Sequence, residues 1–448
     1  MNRALEQLEL LRSKRIFLPP DQWRERLADI HPADLLEDME DRKADPREIL
    51  EDLPDEYIAL VIDQAEDETK YNLLTLFPAE RQASIIGKMS SNELADLLGS
   101  VDRQERDSII SVMNETDAAE MEELLNYPPE SAGGIMATEY LAVTQDMTVG
   151  DTIRFLQKEA PPPDIPYYLY ALDREDILAG VVSLRDVVVS SFDTPVGEIM
   201  NRNVIRVPVE MDQEEVGRLF EKYGLLSMPV VSGEGRMLGV IQADDIVEVL
   251  SEEHTEDLYR MAGLGETERI GGTVASSVRA RLPWLLVNLL TAILASATVS
   301  LFQDTIGKVV ALAVFMPIVA GMGGNAGTQT MTVIIRGLAL GEVQPENARS
   351  ILLKELSLGL IHGLSLGLVV SLLGYLWVGN PWFGLVLGAA MILNLIVAAG
   401  SGYLVPRMLS MRHIDPALAS GVFVTTVTDV LGFFFFLGLA SLLLPLLI

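Results

Sequence analysis

The sequence has no cysteine and only four histidines, His31, His254, His362 and His413, which lie far apart. A thiolate metal site is therefore excluded, and a zinc cluster has no close pair of histidines to start from. Basic residues are also scarce, 33 Lys and Arg against 64 Asp and Glu, and the deficit is local. From Glu266 onward there are 9 basic and 8 acidic residues, which leaves 24 basic against 56 acidic in the first 265, an excess of 32 negative charges. That imbalance speaks against nucleic acid or anionic lipid headgroups as partners of the first part, and for heavy solvation or the capture of cations. The opening MNRALEQLELLRSKRIF has no apolar core of signal-peptide length. Nor is there a nucleophile with a base at useful spacing, a phosphate-cradling loop before a helix, or a His-Glu-x-x-His pair, so no enzyme is expected.

Residues 1–130 read as an acidic domain of short amphipathic helices. Prolines recur where such helices begin, at Pro32, Pro54 and Pro78, positions at which the missing N–H costs nothing. Their spacing suggests two short helices per repeat, stacked into a superhelix. Glu93, Asp96 and Asp102 lie on these helices, and a solvated face is the plain reading of any one of them.

Residues 131–250 repeat themselves. Gly134 to Met136 (GIM) returns as Glu198 to Met200 (EIM), and Val143 and Met147 return as Val207 and Met211, all at an offset of 64. Gly180 to Val187 (GVVSLRDV) returns as Gly239 to Ile246 (GVIQADDI) at an offset of 59. Each copy reads strand, helix, strand, strand, helix, with the apolar runs Tyr168 to Leu172 and Met228 to Val231 as buried strands. The pair resembles a tandem of CBS domains. That resemblance implies a regulatory module with a cleft for an adenine nucleotide such as ATP, in which Asp186 or Asp245 would hold the ribose with Tyr168, Arg185 and Pro229 as neighbours. An empty, purely structural cleft is the alternative.

Residues 243–280 form a connecting helix and its continuation. Asp245, Glu248, Glu252 and Glu256 are spaced three, four and four apart, one carboxylate stripe with no Lys or Arg between 237 and 259. Like charges at that spacing repel by about 0.3 kcal/mol per pair. A solvated acidic helix is the competing reading, but this helix leads directly to a membrane entrance.

Residues 281–448 carry five apolar runs, at about 283–302, 309–336, 355–378, 383–406 and 416–446, each long enough for a hydrocarbon core of about 30 Å. With the acidic part inside, Arg279, Arg281, Arg336, Arg349, Lys354, Arg407 and Arg412 fall on its side and only Lys308 outside, in accord with the positive-inside rule and an outer C-terminus. Within the second run, Pro317, Gly321, Gly323, Gly324, Asn325 and Gly327 are expected to interrupt the helix. Such interruptions survive in lipid only where helices or a water-filled cavity satisfy the freed backbone, so this stretch is expected to line a passage. Asp429 is the carboxylate expected well inside a span, a functional residue by default, although a protonated Asp bonded to a neighbouring helix would also be stable. One carboxylate does not neutralise a divalent ion, but two facing copies in a homodimer would. Oxygen ligands without thiol or histidine favour Mg2+ or Ca2+, and a site of few carboxylates with backbone carbonyls and Asn325 suits a hydrated Mg2+. Mn2+ and Co2+ are not separated from Mg2+ on these grounds.

The acidic helical domain, the CBS pair, the connecting helix, Pro317 to Gln329 (PIVAGMGGNAGTQ) and a last span containing Thr428 and Asp429 together resemble the MgtE family of magnesium channels, in order and over the whole chain. The resemblance implies a multidomain membrane protein: an all-α superhelical N domain, an α/β tandem CBS pair, a connecting or plug helix, and a five-helix transmembrane domain. It implies a homodimer in the cytoplasmic membrane with its N-terminal domains in the cytosol. Asp429 would be the selectivity site, with Thr428, Asn325 and Gly324 beside it. Cytosolic Mg2+ would close the pore by bridging carboxylates at Glu93 or Asp96, Glu210 or Asp212, and Asp244, Asp245, Glu248, Glu252, Glu256 and Asp257. Where some members have an asparagine near the start of the last span, this chain has Ala419 to Val422, so a gating contact from that side chain is not carried over. A coupled carrier for Mg2+ or Co2+, and a membrane-anchored CBS nucleotide sensor, are the competing functions.

Overall fold

The computed structural model describes residues 4–14, 27, 29–159, 168–264, 268, 270, 273–412, 414–418 and 420–448. They form two compact units, Met1–Ser251 and Glu252–Ile448.

The first unit opens with α1 (Ala4–Lys14), followed by α2 (Pro32–Arg42), α3 (Pro46–Leu50), α4 (Asp55–Asp63), α5 (Asp67–Leu74), α6 (Ala79–Ile86), α7 (Ser91–Ser100), α8 (Arg103–Ile110) and α9 (Glu115–Leu124). The helices alternate as pairs starting near 32, 55, 79 and 103, and α2 packs on α4, α4 on α6, α5 on α7 and α7 on α9. This is the stacked two-helix repeat expected from the prolines, of which Pro54 and Pro78 stand just before their helices and Pro32 at the first position of its own. Where proline is absent, side chains take the orphan N–H groups: Asp102 and Glu105 form a reciprocal capping box, and Asn114 bonds the amides of Thr116 and Asp117.

The repeat in the sequence becomes two three-stranded sheets. In the first copy β1 (Ala142–Thr144) pairs parallel with β2 (Tyr168–Leu172), which pairs antiparallel with β3 (Leu178–Ser183); helices α10 (Val149–Glu159) and α11 (Leu184–Val189) accompany them. In the second, after α12 (Val196–Ile199), β4 (Val207–Pro208), β5 (Ser227–Val231) and β6 (Met237–Gln242) pair in the same order, with α13 (Gln213–Tyr223) between β4 and β5. The recurring motifs meet across the copies. Ala137, after the first GIM, bridges to Val240 of β6, and Asn201, after EIM, bridges to Val181 of β3. Met136 lies on Gly239 and Met200 on Gly180: a methyl group on either glycine would stand 2.9 Å or 2.8 Å from the methionine sulfur. Two motifs at different offsets are therefore one exchanged contact seen twice. The helical repeats and the second copy share a continuous core that runs from Leu35 and Ile58 through Leu97 to Val216, Met228 and Ile246.

Helix α14 (Ala243–Met261) contains the division between the units. Five helices of the second unit are long and apolar enough to cross a membrane: α15 (Val274–Ser300), α17 (Ala311–Ala339), α18 (Ala348–Val378), α19 (Pro381–Ser410) and α20 (Ser420–Leu442). Short helices α16 (Gln303–Lys308) and α21 (Leu444–Leu447) flank them. Their bounds differ from those expected. Helix α15 starts nine residues before Pro283, α18 starts at Ala348 rather than 355, and the last run stops at Leu442 before the separate α21. The polar ends that hydropathy leaves out continue as helix because backbone bonding within a segment is needed through the whole interface.

One expectation is overturned. Helix α17 runs unbroken through Pro317 and all the glycines. The glycines serve contact instead of interruption: α19 is the central, most buried helix, and α17 reaches it and α20 closely because side chains are missing. The same device joins α18 to α19, where Gly359, Gly363 and Gly367 lie against Leu395, Ile392 and Gly388.

Candidate functional site

In the membrane unit, α17 and α20 meet along glycines. Gly324 faces Thr425, and a methyl group on Gly327 would stand 2.6 Å from Val424 and 3.5 Å from Thr428. Beside this seam, Gly321, Asn325, Thr328, Thr332 and Arg336 form an exposed stripe along α17 with helical spacing. Asp429 on α20 is half-buried. Thr428, next to it, is turned inward: it is fully buried, and its hydroxyl donates to the Thr425 carbonyl at 3.0 Å. Its hydroxyl is thus spent within its own helix, which leaves Asp429, Asn325 and the Gly324 backbone as the pore candidates on accessible ground.

Two buried polar side chains of the membrane helices escaped the sequence reading. Glu355 of α18 is 5 % exposed, accepts a bond from the Thr330 hydroxyl at 3.3 Å, and has Lys354 Nζ at 3.7 Å. It also lines a cavity with Gln329 and His362. Its signal is hidden in the sequence because Glu355 stands at the first position of the apolar run. Asn394 of α19 is completely buried, and a lone amide in an apolar run was the clue to it.

At one end of these helices, the last turn of α14 sits in the same unit. Arg260 pairs with Glu256 and with Asp415 of the segment before α20. Met261 packs against a cluster of Met331, Ile335, Ala417 and Val424. Arg260 to Gly263 line a space of about 210 Å³ with Asn288, Thr328, Gly421 and Thr425. Arg336 comes within 3.5 Å of His254. Ala419, in the segment that departs from the family pattern, lies outside the described residues.

In the first unit, the expected sensing residues are not one face. Asp245 and Glu93 come together where α7 meets the start of α14. Asn92 donates to Asp245 at 3.2 Å, the Gln242 amide donates to its other oxygen at 3.1 Å, and Glu93 binds Lys70 at 2.6 Å. Lys70 is only 4 % exposed. Asp63 joins this cluster, receiving the Ser90 amide at 3.3 Å, while Glu139 accepts from Ser91 at 2.8 Å. Burial, then the charge of Glu93, pushes Asp63 up to about 8; burial, then Asp244, pushes Asp245 up to about 7. Asp63, Lys70 and Glu139 were not legible as a set, because only the fold brings them beside Glu93 and Asp245.

The other acidic candidates are dispersed. Asp96 is half-buried on α7, and Glu210, Asp244, Glu248 and Glu252 are exposed, with Asp257 partly so. Asp212 caps α13 through the Glu214 amide at 2.9 Å. Of the residues expected to hold a nucleotide, Asp186 accepts from Ser183 at 2.6 Å and has Arg185 at 3.5 Å. Asp245 occupies the same place after its own strand, but faces α7. Tyr168 is half-buried and Pro229 buried.

Comparison with known proteins agrees with this order of parts. A divalent cation transporter family matches residues 316–439, an MgtE intracellular N domain matches 30–130, and CBS domains match 132–192 and 196–252. The chain is 36 % identical to the magnesium transporter MgtE of Thermus thermophilus over 428 residues, which is 89 % of this chain and 95 % of that protein. It is 32 % identical to the magnesium transporter MgtE of Bacillus subtilis over 85 % of this chain and 84 % of that one. A crystal structure of the soluble part of a magnesium transporter aligns with 30 % identity and a TM-score of 0.50, covering 56 % of this chain and 99 % of that one. The chain belongs to the MgtE family of magnesium transporters, multi-pass membrane proteins whose N-terminal domains lie in the cytosol.

Proposed function

We propose that this Mg2+ transporter works as a channel, with two copies of the chain placing α17 and α20 around a shared pore. The observation that carries the reading is the exposed stripe of Asn325, Thr328 and Thr332 on a membrane helix that packs on α20, the helix of the half-buried Asp429. Polar groups facing hydrocarbon are costly, so the stripe calls for water or a second copy. A pair of Asp429 carboxylates across a two-fold axis balances one divalent charge, and the amide of Asn325 with the Gly324 backbone contacts the waters of a hydrated ion. Thr428 holds the helix seam rather than the ion.

Closure is assigned to the end of α14. Met261 lies among apolar residues of α17 and α20, held by Arg260 to Glu256 and Asp415, so a shift of this turn would open or fill the mouth. Cytosolic Mg2+ favours the shut form by screening the first unit's carboxylates, with Asp63, Glu93, Asp245 and Glu139 the best assembled group and Asp96, Glu210, Asp244, Glu248, Glu252 and Asp257 weaker contributors. Swinging such a gate from mostly open to mostly closed takes about 5.5 kcal/mol of differential binding, a sum over several weak sites. The CBS cleft at Tyr168, Arg185, Asp186 and Pro229 is the proposed place for ATP, supported by an Asp held by Ser183 at the start of α11.

A coupled carrier has one observation in its favour, the buried Glu355 beside Thr330, a carboxylate able to carry a proton. Flux of Mg2+ into proteoliposomes separates the two. A channel passes Mg2+ down its own gradient at equal pH on both sides and does not acidify or alkalinise the lumen. Flux that requires a proton gradient, or moves protons in fixed ratio to Mg2+, would establish the carrier instead.

A further inference from the structure

Asn394 has a place that neither packing nor the pore reading accounts for. It is 0 % exposed within the membrane helices. Its Nδ2 donates to the Val319 carbonyl of α17 at 2.8 Å, and among the described residues no group reaches its buried Oδ1. The amide lies in a slot made by two missing side chains. A methyl group on Gly323 of α17 would overlap it, and one on Gly432 of α20 would stand 2.7 Å from Nδ2. Gly323 precedes Gly324 and Asn325 directly, and Gly432 is one helical turn beyond Asp429. An amide from the central helix therefore sits between Gly323 and Gly432 of the two helices that carry the pore candidates, within a turn of Asn325 on one and of Asp429 on the other. A leucine would fill comparable space without burying an unmatched oxygen, so volume alone does not explain an amide here.

We propose that Asn394 is a positioning residue: its amide, fixed to Val319 and seated between Gly323 and Gly432, sets the spacing and rotation of α17 against α20, and through them the discrimination between divalent ions. This rests on the pore reading of α17 and α20. Asn394 itself touches no ion.

The test uses the full-length protein in proteoliposomes, measuring Mg2+ and Ca2+ flux for Asn394→Leu, Gly432→Ala and the double variant Asn394→Ala/Gly432→Ala, with Asp429→Ala alongside. Gly432→Ala alone collides with the amide and should lower the yield of monodisperse protein. Removing the amide in the double variant should restore that yield, because the added methyl then has room. Selectivity should not return: the ratio of Mg2+ to Ca2+ flux should fall roughly tenfold in Asn394→Leu and in the double variant, the factor that about 1.4 kcal/mol of lost interhelical bonding represents. Wild-type selectivity in either folded variant overturns the proposal, and a double variant no better folded than Gly432→Ala overturns the slot geometry beneath it. If Asp429→Ala conducts like wild type, the pore reading fails on its own; if only the Asn394 variants match wild type, the pore reading stands and this inference falls.

Discussion

The two units spend charge in opposite ways. The first unit holds acidic groups in great excess, most of them exposed, and even its interior contact between α7 and α14 is a crowd of carboxylates around Lys70. The membrane unit has few charged side chains within its spans, and holds three of its buried polar groups by specific neighbours: Glu355 by Thr330, Asn394 by Val319, Thr428 by its own helix. In water single charges are screened and act by number. In hydrocarbon a single carboxylate or amide acts alone, and spacing is set by glycines.

That contrast predicts its largest effect in the membrane. Asp429→Ala should reduce Mg2+ influx to the background of empty liposomes while leaving yield and melting intact, because the protein keeps its seam of Gly324, Gly327 and Thr425. Substantial remaining influx would mean that the membrane unit, too, works by number.

The next effect tests the one place where the first unit behaves like the second. Lys70→Met removes a buried cation bonded to Glu93 and close to Asp63, and breaking a buried pair of this kind costs about 3 kcal/mol. Denaturant unfolding followed without divalent ions should show that loss, and millimolar Mg2+ should recover part of it by entering the vacated charge. A variant as stable as wild type would show that Lys70 is no more than another screened charge.

A pH series sharpens the same point with a smaller change. Asp63 and Asp245 are raised from 3.8 to about 8 and about 7, so the folded protein holds protons that the unfolded chain has released. Their contribution is present in full below about pH 4 and is lost as pH climbs through 7 and 8. Stability of the first unit should fall between about pH 4 and pH 8 and level off above, and Asp63→Asn should flatten that slope. A slope unchanged by the substitution would place the effect elsewhere.

The smallest effect separates sensing from capping. Asp212 holds the first turn of α13, so Asp212→Ala should cost about 1 kcal/mol of stability. The Mg2+ dependence of transport should not move; a shift in it would return Asp212 to the ion-binding set.

The architecture was readable because its signals are periodic. Pro54 and Pro78 announce the helical repeat, and the GIM and GVV motifs announce the CBS pair through contacts they make with each other, Met136 on Gly239 and Met200 on Gly180. Asp429 was readable as a lone carboxylate in an apolar run. What stayed hidden depends on direction or on partners distant in sequence. The glycines around Gly323 looked like a break because composition does not tell a close approach from an interruption. Thr428 and Asp429 are neighbours in sequence but lie on different faces. Lys70 and Asp63 join Glu93 and Asp245 only when the superhelix and the second CBS copy share a core.

The most direct measurement of the central claim is Mg2+ current across excised patches bearing the full-length protein, with the cytosolic face stepped from near-zero to several millimolar Mg2+. The account predicts current at low cytosolic Mg2+ that closes cooperatively as the ion rises. Current that persists unchanged at every concentration would contradict the assignment of the acidic unit as the sensor, and silence at every concentration, with the protein present in the membrane, would contradict the channel itself.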